Sequence, residues 1–360
     1  MSRPGIEPLP GPLPLLGILL AVLLRVPAAT AGWLKHSEGI MGTRIEVELY
    51  HEDDEIAQRG VREVMQEMRR IDRAMSPFIE DSELSRVNRE AARHPVAVSE
   101  ELFRLLQKAV AISALTHGAF DISFASVGFL YDYRTGTGPD DAQRRAAADR
   151  IDYRRIRLDP ERHSIYFEKP GMRIDLGGIA KGYAVDRCIA LLQDLGIGRA
   201  LVRAGGDSRV IGDRWGRPWT IGVRDPRDPD GLVAVIPLMD VAVSTSGDYE
   251  RFFERNGVRY HHIIDPGTGD SARQLRSATL IGPDATTTDA LSTSVFVLGP
   301  ERGMALIERL PGIDAIVVDA HGQLHYSSGL EAPGRAADSA RASRQNPVPG
   351  VKVPAQTVAP

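Results

Sequence analysis

Cysteine is all but missing from this 360-residue chain: Cys188 stands alone. No internal disulfide can form, and no cysteine cluster is available for zinc or an iron–sulfur group. A cysteine-poor chain also suits an oxidising compartment. Neither sign of charge dominates, with Lys+Arg 44 against Asp+Glu 48 and a formal net charge of -4. No Lys/Arg run stands out, which removes the electrostatic footprint of a nucleic-acid binder. The longest apolar run, Leu13 to Leu24, falls short of the roughly 20 residues that a spanning helix needs.

That run instead has the layout of an export leader. Arg3 precedes it, and Ala29-Thr30-Ala31 follows as a small-x-small cleavage site. Residues 1–31 are therefore expected to be a signal peptide that sends the chain to the periplasm. No cysteine near the cleavage site offers a lipid anchor. Residues 331–360 are rich in Ala, Pro, Ser and Arg without apolar periodicity, and are expected to be a disordered tail. The folded part is then 32–330, and 42% hydrophobic residues allow it a sizeable core.

Within it, Ile45, Val47 and Leu49 alternate as on a strand. Ala57, Val61, Val64, Met68, Ile71 and Met75 recur at steps of four and three, one apolar face of a helix. Ser99 with Glu100 and Glu101 reads as an N-cap and charged first turn. A Gly/Pro-rich break at Thr135–Asp140 is a candidate insertion point. Strands are expected at Ile156–Leu158, Ser164–Phe167, Met172–Asp175, Ala200–Arg203, Trp219–Val223, Val233–Leu238, His262–Ile264, Ala278–Ile281 and Ala315–Asp319. Helices are expected from Ile179 to Leu195, stopped by Gly196, and from about Asp289 and Glu301. This irregular order predicts an α+β fold rather than a doubly wound sheet.

Three stretches concentrate chemistry. In Arg173-Ile-Asp-Leu-Gly-Gly-Ile-Ala-Lys-Gly182 an apparent strand passes through two glycines into a helix carrying Lys181. Exposed N–H groups and a lysine there suit phosphate, although a tight turn with a surface lysine would read the same way. Asp289 and Thr293 share a helix face, and their oxygens suit Mg²⁺ rather than Zn²⁺; capping by Thr288 or Asp289 is the plainer alternative. In Tyr260-His-His-Ile-Ile-Asp-Pro-Gly-Thr-Gly269, adjacent histidines on a strand face opposite ways, so one of them faces a pocket.

These stretches, in this order, resemble the FAD:protein FMN transferases, the ApbE family. Met41-Gly42-Thr43, Met75-Ser-Pro-Phe78, Asp81-Ser-Glu-Leu-Ser-Arg-Val-Asn88 and Gly118-Ala-Phe-Asp121 look like its first motifs. The glycine stretch, Ala204-Gly-Gly-Asp207, Ser246-Gly-Asp-Tyr-Glu-Arg-Phe252, His262–Gly269 and Asp289-Ala-Leu-Ser-Thr293 continue the series. The resemblance implies an ApbE-like fold with mixed or antiparallel sheets flanked by helices, binding FAD with Mg²⁺ at its diphosphate. FMN would pass to a Ser or Thr hydroxyl of an exported redox protein bearing an Asp-x-x-Ser/Thr-Gly-Ala-Thr-like motif, with AMP released; membrane proximity would come only through that acceptor.

By the same resemblance Met41, Phe78, Ala119, Phe120, Asp121, Asp175, Lys181 and Ile263 would contact the flavin nucleotide. Asp289 and Thr293 would hold the metal, joined by backbone oxygens at Gly178 and Ser292, and His262 or Asp289 would take the acceptor proton. His262 is favoured, since a metal-bound carboxylate is a weaker base. A Mg²⁺-dependent FAD hydrolase and a non-catalytic flavin carrier are the alternatives. The chain departs from the family pattern at Phe78, where Tyr or Trp is usual, and at Arg203, where Asn is usual. It departs again at Ile122–Gly128 and Phe129–Tyr133, which replace a Gly-Pro-Leu and Trp-Gly run.

Overall fold

A computed structural model of the chain describes residues 32–330 apart from Pro229. The expected signal peptide and tail lie outside the described residues. Among those described, no helix is long and apolar enough to cross a membrane.

The framework is one eight-stranded sheet. Its strands are β1 (Leu34–Ile40), β2 (Thr43–Tyr50), β3 (Arg199–Ala204), β4 (Asp207–Ile211), β5 (Ala242–Gly247), β6 (Leu275–Gly282), β7 (Asp314–Asp319) and β8 (Leu324–Tyr326). They lie side by side in chain order, each antiparallel to the next. Long excursions leave this meander and return to it. The longest, between β2 and β3, carries α1 (Asp54–Met75), α2 (Glu100–Leu115) and α3 (Ala180–Asp194); the one between β6 and β7 carries α4 (Ala285–Ile307). The α+β expectation holds, and the sheet is antiparallel throughout.

Alternation along the strands sorts side chains onto two faces. Ala200, Val202 and Ala204 of β3 join the main core with α1, α3 and α4. Leu201 of β3, with Val210, Val243 and Ile281, packs instead under a hairpin formed by Trp219–Arg224 and Leu232–Leu238. The predicted α1 stripe is buried except for Val61, which is only partly covered. Asp53 caps α1, and Ser99 caps α2 as expected. Gly196 ends α3 in the left-handed region, at φ 78°.

Three expected elements differ. Met172–Asp175 is not a strand. It runs extended beside a helix at Glu83–Glu90, whose Asn88 side chain supplies the missing sheet partner: Ile174 N donates to Asn88 Oδ1 at 2.8 Å, and Asn88 Nδ2 donates to Ile174 O at 2.9 Å. A side chain doing the work of a strand leaves no periodic trace in the sequence. His262–Ile264 is likewise broken: strands Val258–His261 and Ile264–Asp265 flank it, and the chain bends at His262. The helix expected from Asp289 starts four residues earlier, because Asp284 is its cap, accepting from Thr287 N at 2.8 Å. It is continuous in position with the one expected from Glu301, interrupted at Gly299 (φ 79°) before Pro300.

The Asn88 device gives a first prediction. Asn88→Ala removes both bonds and strands a backbone N–H and C=O, a loss of about 2 kcal/mol or more. Urea unfolding of the variant should show a lower midpoint at unchanged slope; an unchanged midpoint would mean water replaces the amide without penalty.

Candidate active site

The site assembles where α3, α4 and two strand ends meet. The run that Asn88 holds reaches Asp175, turns through Gly177-Gly178 and enters α3, whose first turn carries Lys181. The Lys181 ammonium lies 2.8 Å from Gly177 O, 2.9 Å from Asp207 Oδ2 and 3.3 Å from both Asp289 oxygens. Asp207 and Asp289 are each 2% exposed. Asp207 arrives on the first residue of β4, directly after the two-residue Gly205-Gly206 hairpin. A Cβ at Gly206 would sit 2.6 Å from Thr245 O, so the hairpin lies flat on β5 only because that residue is glycine.

Two carboxylates thus share one ammonium. Burial first, then the neighbouring Asp207 charge, pushes the Asp289 carboxyl up to about 7; Lys181 and the Gly182 N–H offset only part of this. Asp207, at the shorter distance, holds the lysine, whose own pKa is raised by the two carboxylates against the cost of burial. The cluster carries a surplus negative charge in a buried setting. Oxygen donors surround it. Thr293 Oγ1 lies one helical turn beyond Asp289, 3.3 Å from Ser246 Oγ on β5, and a Cβ built on Gly178 would come within 3.2 Å of it. Ser246 Oγ also meets Ser292 Oγ at 2.8 Å, while Ser292 Oγ donates to Asp289 O, so the Ser292 hydroxyl is spent on its own helix.

The capping alternative for Asp289 is overturned. Asp284 is the cap, and Asp289 lies in the second turn with its carboxylate accepting from Gly182 N at 3.0 Å. The phosphate-cradle reading needs a correction too: Gly177 N donates to Asp175 Oδ1 at 2.6 Å, so neither this amide nor that of Gly182 is free for a ligand. Asp175 is buried enough for its pKa to rise, an effect opposed by the Gly177 N–H, Arg251 and Lys181.

The two histidines part company. His261 is buried, with Nε2 2.6 Å from Ala272 O. His262 keeps a partly exposed ring, but its Nδ1 is enclosed and has no hydrogen-bond partner. Burial, then Arg251, His261 and Lys181, lower its pKa to about 3, so the imidazole is neutral with one unused nitrogen. Ile263 beside it is buried.

The aromatic end lies apart. Phe78 is 76% exposed, 6.0 Å from Phe129, whose ring lies 5.0 Å from the Arg173 guanidinium. They line a cleft of about 560 Å³ with Asn88, Arg89 and Arg93. An exposed phenylalanine beside arginines suits a planar, anionic ligand. A smaller cavity of about 160 Å³, between Glu46, Arg203 and Trp219, contains no expected site residue. Arg203 turns toward Glu46 there, so its departure from the family pattern falls outside the site.

Met41 forms a two-residue turn with Gly42, at φ 55° and 66°. A left-handed methionine is strained by about 1 kcal/mol or more, and such strain gathers at functional positions. Phe120 is buried against Gly178, and Ala119 is partly buried. Asp121 organises the unusual loop: its Oδ1 accepts from Ser123 N and Oγ, and its Oδ2 from Tyr153 N at 2.8 Å, leaving little for a ligand. The loop itself is a turn at Ile122–Phe124 and a short helix at Ala125–Gly128.

Asp207, Ser246 and Arg251 were given no role from sequence. All three stand at motif positions already noted, yet only the sheet shows that β4 brings Asp207 beside Lys181 and β5 brings Ser246 beside Thr293. Among the described residues no group of three or more His, Cys, Asp or Glu is arranged around a metal position. One carboxylate with hydroxyl and carbonyl oxygens fits a hard cation that takes its remaining ligands from water and substrate phosphate, as Mg²⁺ does.

Comparison with known proteins agrees with this geometry. The sequence profile described as the ApbE family matches residues 41–317. An FAD:protein FMN transferase of Treponema pallidum is 32% identical over 338 residues, covering 88% of this chain and 93% of that protein. One from Klebsiella pneumoniae is 34% identical, covering 81% and 91%. Among solved structures, the ApbE protein of Thermotoga maritima superposes with a TM-score of 0.76 at 35% identity, covering 83% of this chain and 98% of that one. The flavin transferase ApbE of Vibrio cholerae gives 0.74 at 29%, with the same coverage. This chain belongs to the ApbE family.

Proposed function

We propose that the chain transfers FMN from FAD to a Ser or Thr hydroxyl of a second, exported protein, with Mg²⁺ held at Asp289 and Thr293. The observation that carries this reading is the buried cluster in which one lysine serves two carboxylates beside hydroxyl oxygens. The surplus charge and all-oxygen donor set match a hard divalent cation. Bound there, the ion would neutralise charge on the diphosphate of FAD.

The protein groups supply the rest. Phe78 and the arginines of the cleft hold the planar part of the nucleotide. Lys181 places positive charge at the phosphates, where charge neutralisation and alignment dominate phosphoryl transfer. The acceptor oxygen bonds to the phosphorus of the FMN half, the bond from that phosphorus to the bridging oxygen breaks, and AMP leaves. The His262 imidazole, held neutral by its surroundings and partly exposed, takes the hydroxyl proton. Approach of the diphosphate anion stabilises its charged form, which Arg251 and Lys181 otherwise oppose. The leader-like residues 1–31 support an acceptor outside the cytoplasm.

The test is direct. The purified chain is incubated with FAD, Mg²⁺ and a protein bearing an Asp-x-x-Ser/Thr-Gly-Ala-Thr motif, and intact mass is recorded with and without chelator. A metal-dependent FMN adduct with matching AMP release is expected. Free FMN without adduct would replace transfer by FAD hydrolysis, and intact FAD would leave a flavin carrier.

A further inference from the structure

We infer that Asp186 is a positioning residue for this site: it sets the spacing between the helix that carries Lys181 and the helix that carries Asp289 and Thr293. The inference rests on the proposed metal site but not on any acceptor.

Asp186 lies on α3, one turn after Gly182 and on the same face. Its carboxylate reaches across to the start of α4. Oδ1 accepts from Ala285 N at 2.9 Å and from Arg209 Nη1 at 2.7 Å. Oδ2 accepts from Thr286 N at 2.8 Å and Thr286 Oγ1 at 2.6 Å. The first N–H groups of any helix have no partner within it. Here Asp186 takes those of Ala285 and Thr286, while the helix's own cap, Asp284, takes that of Thr287. A carboxylate at this end is also favoured by the helix dipole. The next turn returns the grip, since Asp289 Oδ2 accepts from Gly182 N. Each helix therefore holds the other through a carboxylate, and the two clasps lie on either side of the Gly182–Ala285 crossing.

The second clasp uses a site residue and the first does not. Asp186 touches neither Lys181 nor Thr293, yet it fixes the first turn of the helix from which Asp289 and Thr293 project. Arg209 on β4 completes the carboxylate and ties it to the strand that delivers Asp207. Capping by Asp284 alone would leave the buried Ala285 and Thr286 N–H groups without partners. The additional bonds from α3 specify where that helix sits.

The test uses the full chain and reads Mg²⁺ binding by titration calorimetry, with no FAD and no acceptor present. Asp186→Asn puts an amide group against amide donors and should weaken Mg²⁺ binding at least tenfold, with a circular dichroism spectrum like that of the parent. Arg209→Ala is the control. It removes the partner on the sheet and leaves all bonds to α4, so Mg²⁺ affinity should stay within about twofold. A merely structural role predicts the opposite pattern: both variants melt at lower temperature and neither changes affinity per folded molecule. That result, or equal loss of affinity in both, would overturn the inference. Should Asp186→Asn fail to fold, Thr286→Val removes only the 2.6 Å hydroxyl bond and should weaken Mg²⁺ binding several-fold. Should the parent bind no Mg²⁺ alone, the titrations are repeated with FAD present; no binding there either would remove the metal site itself, a different failure.

Discussion

Asp289→Asn is expected to lower FMN transfer by about 10³-fold while the protein stays folded. The size follows from the role proposed for the carboxylate: it would hold the cation that neutralises the reacting diphosphate, and preorganised electrostatic stabilisation of that kind is worth about 3–4 kcal/mol in the transition state. Structure is spared because asparagine keeps an oxygen for the Gly182 N–H, and Lys181 keeps Asp207 at 2.9 Å. Taking away one of two buried carboxylates that compete for one ammonium relieves repulsion, so stability should change by less than about 1 kcal/mol. Steady-state transfer at saturating FAD, together with a thermal melt, separates the two effects. Transfer close to that of the parent would remove Asp289 from the chemistry. A large drop in melting temperature would assign it to the clasp between α3 and α4 instead.

The parts of this site that lie close in sequence were readable, and the parts joined by the sheet were not. Asp289 and Thr293 are four residues apart on one helix, and periodicity alone puts them on one face. The glycine turn before Lys181 is a local signal of the same kind. The partnership of Lys181 with Asp207 spans strands whose order cannot be deduced from spacing, so Asp207 had a motif but no role. Asp186 carried no signal at all: an aspartate inside a helix normally faces water, and only the crossing with α4 gives it amides to bind. The same distinction holds for the fold. Helix caps at Ser99 and Gly196 were legible because they are chemical and local. Met172–Asp175 was misread as a strand because its partner is the side chain of Asn88, and His262–Ile264 because alternation says nothing about a bend between two short ladders.

The closeness of α3 and α4 makes Gly182 the most sensitive backbone position in the site, and Gly182→Ala should be severely disruptive. A Cβ there would lie 2.6 Å from the Ala285 carbonyl carbon, closer still to its oxygen, and 2.8 Å from Asp289 Cβ. Alanine favours a helix over glycine by about 1 kcal/mol, so propensity alone predicts a gain. Overpacking against backbone opposes it with about 1–3 kcal/mol or more, and backbone cannot rotate away as a side chain does. Separation of the helices also breaks the Gly182 N–H bond to a buried carboxylate, a further loss of about 1.5–3 kcal/mol. The sum is a loss of about 1.5–5 kcal/mol. Gly60→Ala makes the contrast. Its Cβ would meet Ile197 Cδ1 at 2.6 Å and Leu192 Cδ2 at 3.0 Å, the movable ends of side chains, and it too sits inside a helix. There the propensity gain and the repacking cost nearly cancel, and stability should stay within about 1 kcal/mol of the parent. Denaturant unfolding of both variants decides it, and residual Gly182→Ala activity should fall about 10²-fold because the phosphate-facing groups shift by an ångström-scale displacement. Equal behaviour of the two variants would mean the α3–α4 crossing is soft, and that the spacing of Lys181 and Asp289 is set elsewhere.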